Sequence, residues 1–82
     1  MARPRDTARY VRRDGRKIVS YGITDRELEE RAAEHKVEGQ RFSSMKQVGP
    51  RVTREKALEW EQDRIDAYKQ GHGGRSPRYN KT

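Results

Sequence analysis

Six side chains in this chain could do chemistry together if the fold gathers them: Tyr10, Tyr21, Arg31, His35, Glu61 and Asn80. Tyrosine, histidine and glutamate can take up or release protons during a reaction. Arginine carries a planar fork of donors that matches phosphate geometry. Taken singly, each has an ordinary structural reading. Tyrosines are common in strands, Arg31 can pair with Glu27 one helical turn away, and a lone helical histidine usually sits at the surface. Glu61 read alone is a solvated helix residue. The interest lies in the spacing: Tyr21 follows Tyr10 by eleven positions, Arg31 follows Tyr21 by ten, and His35 follows Arg31 by four. With two histidines and no cysteine, a zinc site has too few ligands to draw on.

The charge distribution indicates what such a set would act on. The net charge of +7 is uneven. Residues 1–20 carry seven Lys/Arg against two acids, and residues 69–82 carry four against none. The intervening 48 residues hold nine Lys/Arg against eleven acids. Basic ends around a near-neutral body suit a polyanion, and their cations are mostly arginine. Arg12, Arg13, Arg16 and Lys17 at one end, and Arg75 and Arg78 at the other, are the expected contacts to a nucleic-acid backbone. No apolar run is long enough to span a membrane.

Eighty-two residues make one domain with a small core. Charged residues reach 40% and apolar ones 29%, which approaches a disordered composition, yet the apolar positions are periodic and bounded by turn and cap signals. Residues 1–7 read as a disordered basic lead and 8–82 as the domain. Asp14-Gly15 is a strong hairpin signal. As a two-residue loop it sets Arg13 opposite Arg16, Val11 opposite Ile18 and Tyr10 opposite Val19. Tyr10 and Tyr21 then share a face. Thr24 and Glu27 fit a capping box opening a helix to about Lys36, with Leu28, Arg31, Ala32 and His35 on one side. Residues 41–48 read as a third strand ended by Gly49-Pro50. Thr53 caps a second helix to about Lys69, on which Ala57, Leu58, Glu61, Ile65 and Tyr68 share a face flanked by Trp60. The expected fold is α+β, a small three-stranded antiparallel sheet flanked by helices. The Gly-rich loop carrying His72 attracts no role.

A tyrosine pair, an Arg/His helix face, a glutamate in an apolar stripe and a late asparagine, in this order, resemble the GIY-YIG nuclease superfamily. The resemblance runs from Tyr10 to Asn80. "ARY" stands where the family has "GIY", and "SYG" stands where it has Tyr-x-Gly. Aligning Gly22 with the family glycine makes Ser20 the motif position and requires a one-residue insertion before the helix. Aligning Tyr21 keeps the later spacings, and the hairpin register favours Tyr21. A loop of three residues would swap the faces and hand the role to Ser20. The stretch "VGPRVTREKALEWEQ" followed by "PRYNKT" also looks like the C-terminal nuclease modules of bacterial polymorphic toxins.

The resemblance implies a metal-dependent endonuclease, with DNA favoured over RNA. Glu61 would hold Mg²⁺ or Mn²⁺, Arg31 would clamp the scissile phosphate, and Tyr10 would orient or deprotonate water. Tyr21 would donate to a phosphate oxygen, His35 would assist in proton transfer or phosphate contact, and Asn80 would orient its neighbours. No small-molecule cofactor is expected. The narrower resemblance implies a bacterial toxin delivered as the tail of a larger protein, acting in a target cytoplasm and blocked by a cognate immunity protein. Rival readings are an RNase on the same fold, for example one cleaving tRNA, and a catalytically inactive basic binding module. A further rival is a small partner-binding protein whose charge serves solubility.

Overall fold

The computed structural model describes residues 5–80. Among them the chain forms β1 (Ala8–Asp14), β2 (Lys17–Thr24), α1 (Leu28–Val37), β3 (Ser44–Gln47) and α2 (Arg54–Gly71). The strands make one antiparallel sheet in the order β2-β1-β3. This is the small α+β fold expected from the sequence. Of the expected basic lead, residues 1–4 lie outside the described residues. Thr7 belongs to the fold: it is buried and exchanges two backbone hydrogen bonds with Val52.

The β1-β2 hairpin departs from expectation in two ways, and only one of them matters for the site. Its turn residues are Gly15 and Arg16, closed by the Asp14–Lys17 pair, with Gly15 at φ 66°. Sliding a two-residue turn by one position moves the pairing by two and leaves every side chain on its original face. The second departure is a β-bulge. Arg13 pairs with Ile18 but Arg12 pairs with Ser20, so Val19 is the extra residue. One inserted residue exchanges the faces beyond it. Tyr10 therefore stands opposite Gly22, and Val11 opposite Tyr21. The expected Tyr10–Val19 register is corrected, and Tyr10 and Tyr21 lie on opposite faces.

Ala8, Tyr10 and Arg12 share the first face with Ser20, Gly22 and Thr24. α1 and the loop after it cover this side, with His35 reaching Tyr10 and Phe42 lying beside His35. The second face carries Val11 and Tyr21 and is covered by α2, whose Trp60 and Tyr68 rings meet Tyr21 edge-on. The apolar core is small: Ala8, Tyr10, Val11, Val19, Ala57 and Ile65.

The helix starts also diverge. Thr53 caps α2 as expected, its hydroxyl accepting the Lys56 N–H at 3.3 Å. The Thr24–Glu27 capping box does not form. Thr24 remains in β2, buried opposite Ala8, and its hydroxyl accepts the Arg26 N–H in a local turn. α1 starts after Glu27 without a side-chain cap. The third strand covers only 44–47 of the expected 41–48. Leu58, expected on the buried stripe of α2, is 46% exposed, and Trp60 does the packing instead.

Candidate functional site

On the first face, Gly22 makes room for a tyrosine. A Cβ at this position would lie 2.3 Å from Cζ of Tyr10 and 2.4 Å from its hydroxyl oxygen, so the phenol lies across the β2 backbone where no other residue would permit it. The ring thereby reaches α1, and its hydroxyl is 3.0 Å from His35 Nε2. Both groups are buried. Arg31, one helical turn before His35, joins the cluster electrostatically: its cation lowers the pKa of His35, and Tyr10 favours the charged guanidinium. Arg31 is also paired with Glu34 at 2.7 Å, and Arg26 grips the same carboxylate.

The electrostatics of this cluster set its protonation. Burial, helped by the Arg12 and Arg31 cations, lowers the pKa of His35 to about 4. The imidazole is neutral at pH 7, and the tautomer that accepts the Tyr10 proton at Nε2 carries its own hydrogen on Nδ1. Nδ1 has no hydrogen-bond partner among the described residues and lies 4.0 Å from a Glu38 oxygen. For Arg31, burial works against the charge, but the hydrogen bond with Glu34, helped by the nearby Tyr10, outweighs it and holds the pKa above its ordinary value. The guanidinium is a permanent cation, one third exposed.

Arg12 was expected on a nucleic-acid backbone. It is instead a buried cation at 2% exposure, hydrogen-bonded to Gln40 and lying over the rings of Phe42 and Tyr79 at 5.3 and 5.4 Å. Burial lowers its pKa, while its charge depresses that of His35. Ser20, two residues from Gly22 on the same face, is also buried.

The second face assembles differently. Tyr21 meets Trp60 and Tyr68 at ring-centre distances of 5.9 and 6.5 Å. Tyr68 in turn stacks on His72, 3.7 Å apart and nearly parallel. Asn80 makes two hydrogen bonds of 2.8 Å to the Tyr21 backbone, one to its N–H and one to its carbonyl, and so caps the open edge of β2 like a short extra strand. Glu61 projects half-buried from α2. Burial raises its pKa, and the cation that opposes this is Arg54 on the same helix. Arg16, Lys17, Arg75 and Arg78 gather around Tyr68 and His72, while Arg13 lines a separate 300 Å³ hollow with Arg64 and Trp60.

The structure thus unites Tyr10, Arg31 and His35 and leaves Tyr21, Glu61 and Asn80 out of that cluster. Sequence reasoning missed Arg12 as a core cation, His72 as a stacking partner and the Gly22–Tyr10 pair. The last had a signal, a glycine inside a strand. Among the described residues no three His, Cys, Asp or Glu side chains gather as a metal site. A single carboxylate can anchor Mg²⁺ with waters and substrate oxygens. Glu61, however, stands on the helix covering the opposite face from Tyr10 and His35, so the three do not form one metal centre. No family model, curated protein or solved structure matches this chain.

Proposed function

We propose that the protein is an endonuclease that cleaves nucleic-acid phosphodiester bonds, with DNA favoured over RNA. The observation that carries this reading is the buried Tyr10–His35 hydrogen bond at 3.0 Å with the Arg31 guanidinium beside it. Arg31 is the member of the trio that meets solvent, and it suits a phosphate as a bidentate donor. Tyr10 can relay a proton from the attacking water, giving its phenolic proton to neutral His35 as it takes one from the water, so that the phenol ends neutral and the charge resides on the imidazole. The proton held on His35 is then available to the leaving oxygen. The resemblance to GIY-YIG nucleases supports the same reading, and Gly22 opposite Tyr10 fits the alignment in which Ser20 holds the second motif position. Delivery as a bacterial toxin module with a cognate immunity protein is a narrower proposal that rests on that resemblance alone. Among the described residues no helix is long and apolar enough to cross a membrane.

The second reading, a nucleic-acid-binding module without catalysis, is favoured by two observations. Tyr10 and His35 are only 2% and 4% exposed, and the residue sharing their face in β2 is Ser20 rather than a tyrosine. The test is incubation of the purified protein with supercoiled plasmid and with total RNA, in Mg²⁺, in Mn²⁺ and in EDTA. Nicking of plasmid is expected, and Tyr10→Phe, His35→Gln and Arg31→Ala should each reduce it by about 100-fold or more. Plasmid and RNA both left intact, with binding retained, would establish the binding module.

A further inference from the structure

Two adjoining hollows lie on the second face of the sheet, beyond the hairpin end of β2. Their volumes are about 410 and 290 Å³, and Lys17, Tyr68 and His72 line both. The stacked Tyr68–His72 rings therefore form a wall that borders both open spaces. The imidazole is held in place: Nδ1 lies 2.8 Å from the Tyr68 carbonyl and donates to it. Tyr68 also meets the Tyr21 ring in a T-shaped contact at 6.5 Å. The surrounding cations come from both basic ends of the chain, Arg16 and Lys17 from the hairpin and Arg75 and Arg78 from the C-terminal segment. Among the described residues no acidic side chain lines either hollow.

Aromatic faces among fixed cations are what a single nucleic-acid strand requires. Every unpaired base has a π-face to stack, and every linkage carries a negative charge. A duplex offers the charge but keeps its bases stacked on one another. We infer that the groove formed by Lys17, Tyr68, His72, Arg75 and Arg78 is a single-strand subsite, in which unpaired bases stack on the Tyr68–His72 wall and the basic side chains hold the intervening phosphates. The inference rests on the nucleic-acid reading above and narrows it. The substrate presents an unpaired segment, such as an overhang, a flap, a loop or a melted stretch.

Fluorescence anisotropy at fixed salt tests this with three labelled probes of equal length: oligothymidylate, oligouridylate and a duplex. The expected result is tighter binding of a single strand than of the duplex. His72→Ala should weaken single-strand binding by about tenfold, and His72→Phe, which keeps a ring to stack on, should hold it within about twofold of the parent. His72 is exposed, so the fold is not at stake in these variants. The double variant Arg75→Gln, Arg78→Gln should lower the slope of log affinity against log salt by about 1.4, from a loss of ~0.7 per phosphate contact. A difference between the thymidine and uridine strands would assign the sugar. Duplex binding equal to single-strand binding, with His72→Ala indistinguishable from the parent, overturns the subsite and leaves the nucleic-acid reading standing. Failure of all three probes to bind even at low salt overturns both.

Discussion

The two faces of this three-stranded sheet solve the same burial problem with different chemistry. Behind the first face lie Tyr10, Arg12, Ser20, Thr24 and His35, a polar set almost without solvent contact, held by the Tyr10–His35 and Arg12–Gln40 hydrogen bonds and by rings around the arginine. The second face packs Val11 and Tyr21 beneath α2, whose Trp60 and Tyr68 rings meet Tyr21, and apart from the half-buried Glu61 it keeps its charge at the rim. Buried polar groups stabilise little beyond what they cost to desolvate, and removing one partner leaves the other stranded. A polar interior of this kind suggests a task other than stability, whereas the aromatic face with its basic rim is built both to pack and to bind.

Four perturbations test that contrast. The largest effect is expected at Gly22→Ala. The new methyl would overlap the Tyr10 ring, so the tyrosine must leave its bond to His35 or the strands must part. A loss of about 3 kcal/mol or more is expected in urea unfolding, at the upper end for overpacked cores. A loss under about 1 kcal/mol would mean that the polar face is loosely packed.

Acid titration comes second. Folding depresses the pKa of His35, so between pH 6.5 and about 4 the unfolded chain binds more protons than the native one. The stability this group contributes is complete above pH 6.5 and is lost as the pH falls toward 4. The loss should reach roughly 2 kcal/mol, because a tenfold change in proton affinity is worth about 1.4 kcal/mol and nearby water screens part of the effect. His35→Gln should flatten that part of the profile. An unchanged profile would mean that folding leaves the proton affinity of the histidine as it is in the unfolded chain.

Asn80→Ala is expected to cost about 1–2 kcal/mol, because two backbone groups of Tyr21 lose their partners at once. Amide exchange at Tyr21 should accelerate while exchange at Tyr10, on the central strand, stays slow. Equal acceleration at both would show that the faces do not open separately.

The smallest effect is at Glu61→Gln, and its sign is reversed. Burial raises the Glu61 pKa, so the charged form costs stability at neutral pH and the molecule gains from this group as the pH falls into the carboxylate range. The amide should raise the melting temperature slightly at pH 7. A lowered melting temperature would mean that the carboxylate has a favourable partner in solution.

How far each feature was legible depends on how local its cause is. The Thr53 cap was readable because it is a bond between residues three apart, and it formed. The Thr24–Glu27 box was as plain in sequence, yet Thr24 lies within β2, paired with Ala8 and buried. A tertiary contact overrode a local signal there. The Arg31–His35 spacing put both on one face of α1, close to Tyr10, since an i, i+4 relation holds on any helix. Nothing in the composition of the hairpin announces that Arg12 goes inside, because its burial depends on Gln40, Phe42 and Tyr79 arriving from elsewhere in the chain.

The sequence by itself determined the α+β class, the hairpin, both helices and the basic character of the two ends, for these follow from periodicity, turn and cap chemistry and charge. Which tyrosine joins His35 was decided only in three dimensions. That choice turns on a single bulge residue, Val19, and a bulge reflects the fit between two strands and what covers them rather than the preference of any residue within it. One extra residue turned Tyr21 toward α2, set Gly22 beneath the Tyr10 ring, and so divided six candidate residues between two faces.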